Sequence, residues 1–260
     1  MAYLGVQYRT PQPPPMVVAA LAALDSAHSG EHAPDHHDRA RFVDEAGYAT
    51  VLTTFYWTDP AEYDRWAKAR EAWTGPQHEH DYWGGARDRL PIAQTDRLEP
   101  GSRPTAETDP ETGVVTVSPR GNLCLIRSGQ EWTETEGDER GMYLGDVEPV
   151  LRAGMEFLRD DGLGIGCYAN RYVRVTDDTG AETDKSYGMS WWHSLADLEA
   201  WAESHPTHVA IFRAAMKYLS TQAPAARLRL YHEVTVTDAG EQEFRYLGCH
   251  DRTGLLSAVR

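Results

Sequence analysis

Read for the spacing of its apolar positions, the chain alternates strand patterns with amphipathic helices from end to end. Residues 3–9 place Leu4, Val6 and Tyr8 on one side of a period-two pattern, which predicts a strand. The proline-rich residues 10–15 stop it and feed a helix expected over about 16–27. His28, His32, His36 and His37 then fall in a polar stretch punctuated by Gly30 and Pro34, which reads as a solvated loop rather than a metal site. Residues 48–57, rich in β-branched and aromatic side chains, predict the next strand. Asp59 caps a helix with Pro60 in its first turn, expected to reach about Trp73. After a loop-rich span over 74–110, residues 114–117 and 123–127 predict a hairpin across 118–122. A helix over 146–161 is then stopped at Gly162. Strands are expected at 166–175 and 185–191, and a final hairpin is formed by 228–236 and 244–249.

One stretch repeats. Trp57 to Lys68 can be laid over Trp192 to Glu203: each begins with a tryptophan closing a strand, has a capping residue two positions later, and carries a second tryptophan nine after the first (Trp66 and Trp201). With matching secondary structure around it, the echo predicts two related strand–helix units. The fold class is therefore α+β, with two ferredoxin-like units, halves of about 1–110 and 111–260 within one domain of 1–260, forming a barrel of antiparallel strands flanked by helices. The halves diverge after the echo, with Trp73 in the first where His208 stands in the second.

That divergence draws attention to Trp201–His208. Pro206 breaks one helix and starts another, because proline suits a first turn but not an interior. Phe212, Ala215 and Leu219 follow His208 at helical spacing, so His208 is expected on a buried face, either as a satisfied core histidine or as a ligand to something bound there. His232 alternates with Leu228, Leu230, Val234 and Val236, which turns it toward the same kind of interior. Neutral imidazole tolerates burial, ligates iron and moves protons near neutral pH. Ser128 closes the 123–127 strand just before Gly129, where a serine usually satisfies local backbone. Arg87 and Arg89 flank Asp88 and read first as surface ion pairs.

Composition removes several alternatives. A formal net charge of −15 over 260 residues argues against nucleic acid or an anionic membrane as partner. Cys124, Cys167 and Cys249 are odd in number and widely spaced, which disfavours a disulfide framework or a structural zinc site and points to a reducing cytoplasm. No apolar run approaches a bilayer span. Gly162, Gly164 and Gly166 follow a helix and precede a strand, the wrong order for a dinucleotide fingerprint, and no G-x-S-x-G elbow is present.

Tyr3 to Arg9, Tyr82-Trp83-Gly84 with Arg87-Asp88-Arg89, Ile126 to Gln130, Gly166-Cys167-Tyr168, Asn170-Arg171, Trp201 to His208 and Leu228 to Val234 together resemble the haem-containing aldoxime dehydratases, in order along nearly the whole chain. The resemblance implies a b-type haem held between a sheet and helices in a dimeric α+β-barrel-like fold. It also implies conversion of R–CH=N–OH to a nitrile and water, with the aldoxime nitrogen on ferrous iron. It places the proximal iron ligand on His208, the distal acid/base on His232, and groups that hydrogen-bond the aldoxime hydroxyl on Ser128 and Arg89. A histidine titrating near the operating pH is expected to protonate the leaving oxygen and then take the carbon-bound proton. The chain departs from the family in lacking an N-terminal segment before Tyr3 and an insertion between the equivalents of Trp73 and Tyr82, which carries an acidic residue of the distal pocket. Three other readings stay open on sequence: a haem enzyme of this scaffold with another N–O or N–N substrate, a non-catalytic haem-binding or sensor protein, and a haem-free α+β barrel with core histidines.

Overall fold

The structure, a computed structural model, describes residues 2–9, 13–43, 47–69, 87, 90, 93, 96–223 and 225–259. Its main sheet has seven strands in the order β1-β3-β2-β7-β8-β6-β9, every pairing antiparallel. The chain enters with β1 (Ala2–Tyr8), α1 (Pro15–Ser26), β2 (His36–Val43), β3 (Ala49–Tyr56) and α2 (Pro60–Ala69). It later adds β6 (Leu123–Glu131), α3 (Gly137–Met142), a π turn (Tyr143–Val147) and α4 (Glu148–Asp160). Then come β7 (Cys167–Thr176), β8 (Glu182–Trp192), α5 (Leu195–Ser204), α6 (Pro206–Gln222) and β9 (Arg229–Thr237). A second sheet, β10-β5-β4, is built from β4 (Thr105–Thr108), β5 (Val115–Ser118) and β10 (Phe244–Tyr246).

The sheet curls strongly. Tyr56 on β3 reaches Arg127 on β6, with β2, β7 and β8 between them in strand order, and its hydroxyl lies 2.5 Å from the guanidinium. The concave face buries Ala40, Leu52, Leu125, Val173, Tyr187 and Met189. Helices cover the other face in two groups. In the first, Leu24, Phe55, Tyr63 and Trp66 pack together; in the second, Leu151, Met155, Leu158, Trp192, Leu198, Trp201 and Val234 do so. The echoed tryptophans are scaffold in both halves: Trp57 meets Trp66 at 4.7 Å between ring centroids, and Trp192 meets Trp201 at 5.6 Å.

Several expectations need correction. His36 and His37 do not lie in a loop; they open β2, which is hydrogen-bonded to β3 along its length and to β7 through Arg39–Arg41. Only Ala40 of this strand is buried, so ladder bonds and ion pairs such as Arg39–Asp25 hold it in place of an apolar stripe. The two expected hairpins are crossings between sheets. Asn122 takes a positive φ of 64° and its N–H binds the Thr237 carbonyl at 2.9 Å, which directs β6 into the main sheet while β5 stays in the small one. Residues 238–243 likewise carry the chain from β9 to β10, which pairs with β5. The helix expected from 146 is the end of a longer helical run beginning at Gly137. The expected end of α2 near Trp73 lies outside the described residues. No helix among the described residues is long and apolar enough to cross a membrane.

Candidate active site

The α5–α6 joint shows how its two histidines are used. His205 is the N-cap of α6: its Nδ1 accepts from the Thr207 N–H and lies 2.8 Å from the Thr207 hydroxyl, which in turn accepts from Trp201 Nε1 at 3.0 Å. The His205 ring also stacks on Phe157 at 4.5 Å. His205 is thereby committed to the scaffold. His208, one turn on, is not. Its ring lies 4.6 Å from that of Trp201, and its Nδ1 is buried with no hydrogen bond of normal geometry among the described residues. Desolvation lowers its pKa, opposed by the nearby Ala202 backbone, so the ring is neutral at pH 7.

The surface beside His208 differs from expectation. Phe212 and Leu219 were expected to be buried with it, but they are 59% and 39% exposed, and Met216 is 48% exposed. The buried side of α6 is instead marked by Tyr218 and by Ile211, which packs against the core under α4. His208 stands on the border between that side and an uncovered apolar one. A neutral imidazole with an orphaned nitrogen, bordering apolar surface, suits a metal carried in a large apolar macrocycle. His208 is therefore a residue that could hold such a group.

Ser128 is not at a turn. β6 continues to Glu131, and Ser128 sits inside it, directly opposite His232 on β9 and Gly188 on β8. Directly opposed residues in an antiparallel pair point to the same face. Ser128 and His232 thus share the helix-covered face with Ile126, Val234 and Val236. His232 is half-buried, and desolvation pushes its pKa down to about 4. Tyr172 on β7 opposes Gly188 in turn, so Tyr172, Gly188, Ser128 and His232 form one row across four strands. The Met155 sulfur fills the space above Gly188, where a Cβ would meet it at 2.5 Å. Gln130 donates to the Ser128 carbonyl at 2.9 Å and accepts from Ser186, which is 3.0 Å from the Tyr172 hydroxyl. This polar chain braces the far end of the row. The sequence offered one sign of the arrangement, glycines inside strands, which mark close approaches.

Arg89 lies outside the described residues. Its neighbour Arg87 is no loose surface pair, for its guanidinium holds Glu199 of α5 at 3.0 Å and the Arg97 carbonyl at 2.7 Å. The remaining histidines of 28–37 have separate partners: His32 Nδ1 lies 2.6 Å from Glu62, and His37 stacks on His28.

A curled antiparallel sheet under helices, with a partly buried imidazole on α6 and a serine–histidine pair across β6 and β9, is the candidate small-molecule site. A profile of the haem-containing dehydratases matches residues 2–73 and 67–255. The chain belongs to that family. It is 37% identical to the aliphatic aldoxime dehydratase of Pseudomonas chlororaphis over 305 residues, covering 98% of this chain and 86% of the relative. It is 28% identical over 276 residues to the phenylacetaldoxime dehydratase of Bacillus sp. (strain OxB-1), covering 86% and 78%. A crystal structure of an aldoxime dehydratase superposes with a TM-score of 0.86 at 35% identity, covering 99% of this chain and 87% of that one. Another, of an aldoxime dehydratase in complex with butyraldoxime, does so at 0.86 and 34%. The profile match breaks at 67–73, and the 305-residue alignment is longer than this 260-residue chain. The Pseudomonas relative therefore carries internal residues that this chain lacks.

Proposed function

We propose that this protein is a haem-dependent aldoxime dehydratase, a hydro-lyase converting R–CH=N–OH to a nitrile and water. The observation that carries the reading is the placement of Ser128 directly opposite His232, on the helix-covered face of the sheet. In this reading His208 is the proximal ligand of a b-type haem, and Ser128, His232 and Arg89 face the substrate. When bound, ferrous haem supplies a soft site for the oxime nitrogen and electron density for N–O cleavage.

The protein's own groups manage one proton. Dehydration moves the aldehydic C–H proton to the departing oxygen, so a single group that accepts and then donates suffices. With its pKa near 4, His232 enters neutral, and so it begins as a base rather than as the acid expected of an unperturbed histidine. It takes the proton from carbon, holds it as imidazolium, and passes it to oxygen, ending neutral. The Ser128 hydroxyl, on the same face, donates a hydrogen bond to that oxygen as negative charge builds there. The apolar layer of Ile126, Val234 and Met155 keeps water from competing.

The strand orders support two ferredoxin-like units within one domain of 1–260. β9-β6-β8-β7 is the 4-1-3-2 order of a βαββαβ unit, and β1-β3-β2 is the same order without its fourth strand. Assembly as a homodimer and a cytoplasmic location follow from the family resemblance and from the cysteine pattern respectively, and light scattering on the purified protein tests the former. A second reading, turnover of a different N–O or N–N substrate, is favoured by the internal residues that the Pseudomonas relative has and this chain lacks. The deciding experiment is haem reconstitution, dithionite reduction and anaerobic incubation with aliphatic and aryl aldoximes. A Soret band with nitrile formation supports the dehydratase. A Soret band with oxime-induced spectral change but no nitrile supports the second reading.

A further inference from the structure

Ser128 and His232 face the helices, but the contacts that hold their two strands in place lie on the opposite side of the sheet. The residues bracketing the pair alternate to the concave face: Arg127 opposes Glu233, and Gly129 opposes Tyr231. Arg127 is only 3% exposed. One guanidinium nitrogen lies 3.4 Å from both Glu233 carboxylate oxygens and 2.5 Å from the Tyr56 hydroxyl, and the other holds Asp38. The guanidinium also sits 4.2 Å above the Tyr187 ring and 5.3 Å from that of Tyr231. Tyr231 crosses the strand to lie on Gly129, where a Cβ would come within 2.0 Å of the phenol ring. An ion pair on one side of the Ser128–His232 pair and a tyrosine–glycine contact on the other thus fix the local spacing and register of β6 and β9. Because side chains alternate, a one-residue slip would turn His232 to the concave face. Asp38 comes from β2, so the same guanidinium ties the first half of the chain to these strands.

We propose that Arg127 is a positioning residue for Ser128 and His232, setting from the far face of the sheet the separation of the two polar groups that face the substrate. It rests on the roles assigned to those residues above. Lysine keeps the charge but loses the planar fork that engages Asp38, Glu233 and Tyr56 together, so Arg127→Lys isolates geometry from charge. Displacements on the order of 1 Å at a reacting centre cost about 10²-fold in rate.

The test uses haem-loaded, reduced protein with butyraldoxime as probe. In Arg127→Lys, kcat per haem falls about 10- to 100-fold while KM stays within about threefold, the split expected when transition-state placement alone is lost. The C–O stretch of the ferrous carbonyl complex, which reads the approach of distal hydrogen-bond donors, shifts or broadens. A residue serving only fold stability would lower the melting temperature and leave both readouts unchanged. Glu233→Gln leaves the guanidinium on Asp38 and Tyr56 and is expected to shift both readouts the same way but less. It decides the question if Arg127→Lys does not fold. Wild-type kcat and carbonyl band in the folded variants overturn the proposal, provided His232→Ala is inactive. An active His232→Ala would instead overturn the site assignment itself.

Discussion

Ser128 and His232 stand directly across the β6–β9 ladder from one another, so a hydroxyl and an imidazole from strands about a hundred residues apart in sequence share one face and one row. The pairing has a kinetic consequence. Ser128→Ala removes the hydroxyl proposed to donate to the departing oxygen and leaves the strand intact. It should lower kcat by about 10²- to 10³-fold with little change in KM, measured by steady-state nitrile formation. A main effect on KM would make Ser128 a ground-state contact instead.

The proposed role of His232 as base ties the pH behaviour to its depressed pKa. A base must be unprotonated, so kcat should stay level as pH falls from 7 to 5 and drop only as pH approaches about 4. Activity that instead rises as pH falls through about 6.5 would mean that His232 enters protonated. The same shift has a sign for stability. The unfolded chain binds a proton at this histidine below about 6.5, whereas the folded chain resists until about 4. The stability tied to neutral His232 is therefore complete above 6.5 and is lost as pH falls through that window. Chemical denaturation of wild type and His232→Ala across that range measures the difference.

The buried His208 Nδ1 has no hydrogen-bond partner of normal geometry among the described residues. His208→Ala should therefore leave the haem-free melting temperature nearly unchanged while abolishing the wild-type Soret band on haem titration. His205→Ala should do the reverse. It removes the cap of α6 and its stacking on Phe157, costing about 1 kcal/mol of stability, and leaves the proposed haem ligand in place.

Gly129 tests the close packing on the concave face. Alanine there would drive a methyl into the Tyr231 ring, so Gly129→Ala should destabilise the protein by about 1–3 kcal/mol in urea unfolding. Gly188→Ala meets only the flexible end of Met155 and should be milder.

Much of this arrangement was legible in the sequence, and for physical reasons. His232 could be placed because its strand alternates cleanly between polar and apolar positions, and Pro206 marked the start of α6 beyond doubt of period. β2 was missed because a charged strand paired on both sides carries no apolar stripe. The expected burial of Phe212 and Leu219 failed because helical spacing identifies an apolar face but not what covers it. Ser128 was placed at a strand end because Gly129 reads as a stop, whereas the structure uses that glycine to admit Tyr231. The depression of the His232 pKa depends on tertiary enclosure, which no local pattern reveals.

The central claim is that His232 moves the proton in a haem-dependent dehydration. Its most direct test compares reduced, haem-loaded wild type and His232→Ala with the same aldoxime under anaerobic conditions. Both should show the same Soret band and oxime-induced spectral change, while nitrile forms in wild type and falls by at least about 10²-fold in the variant. Equal nitrile formation by the two proteins, each carrying haem, would contradict it.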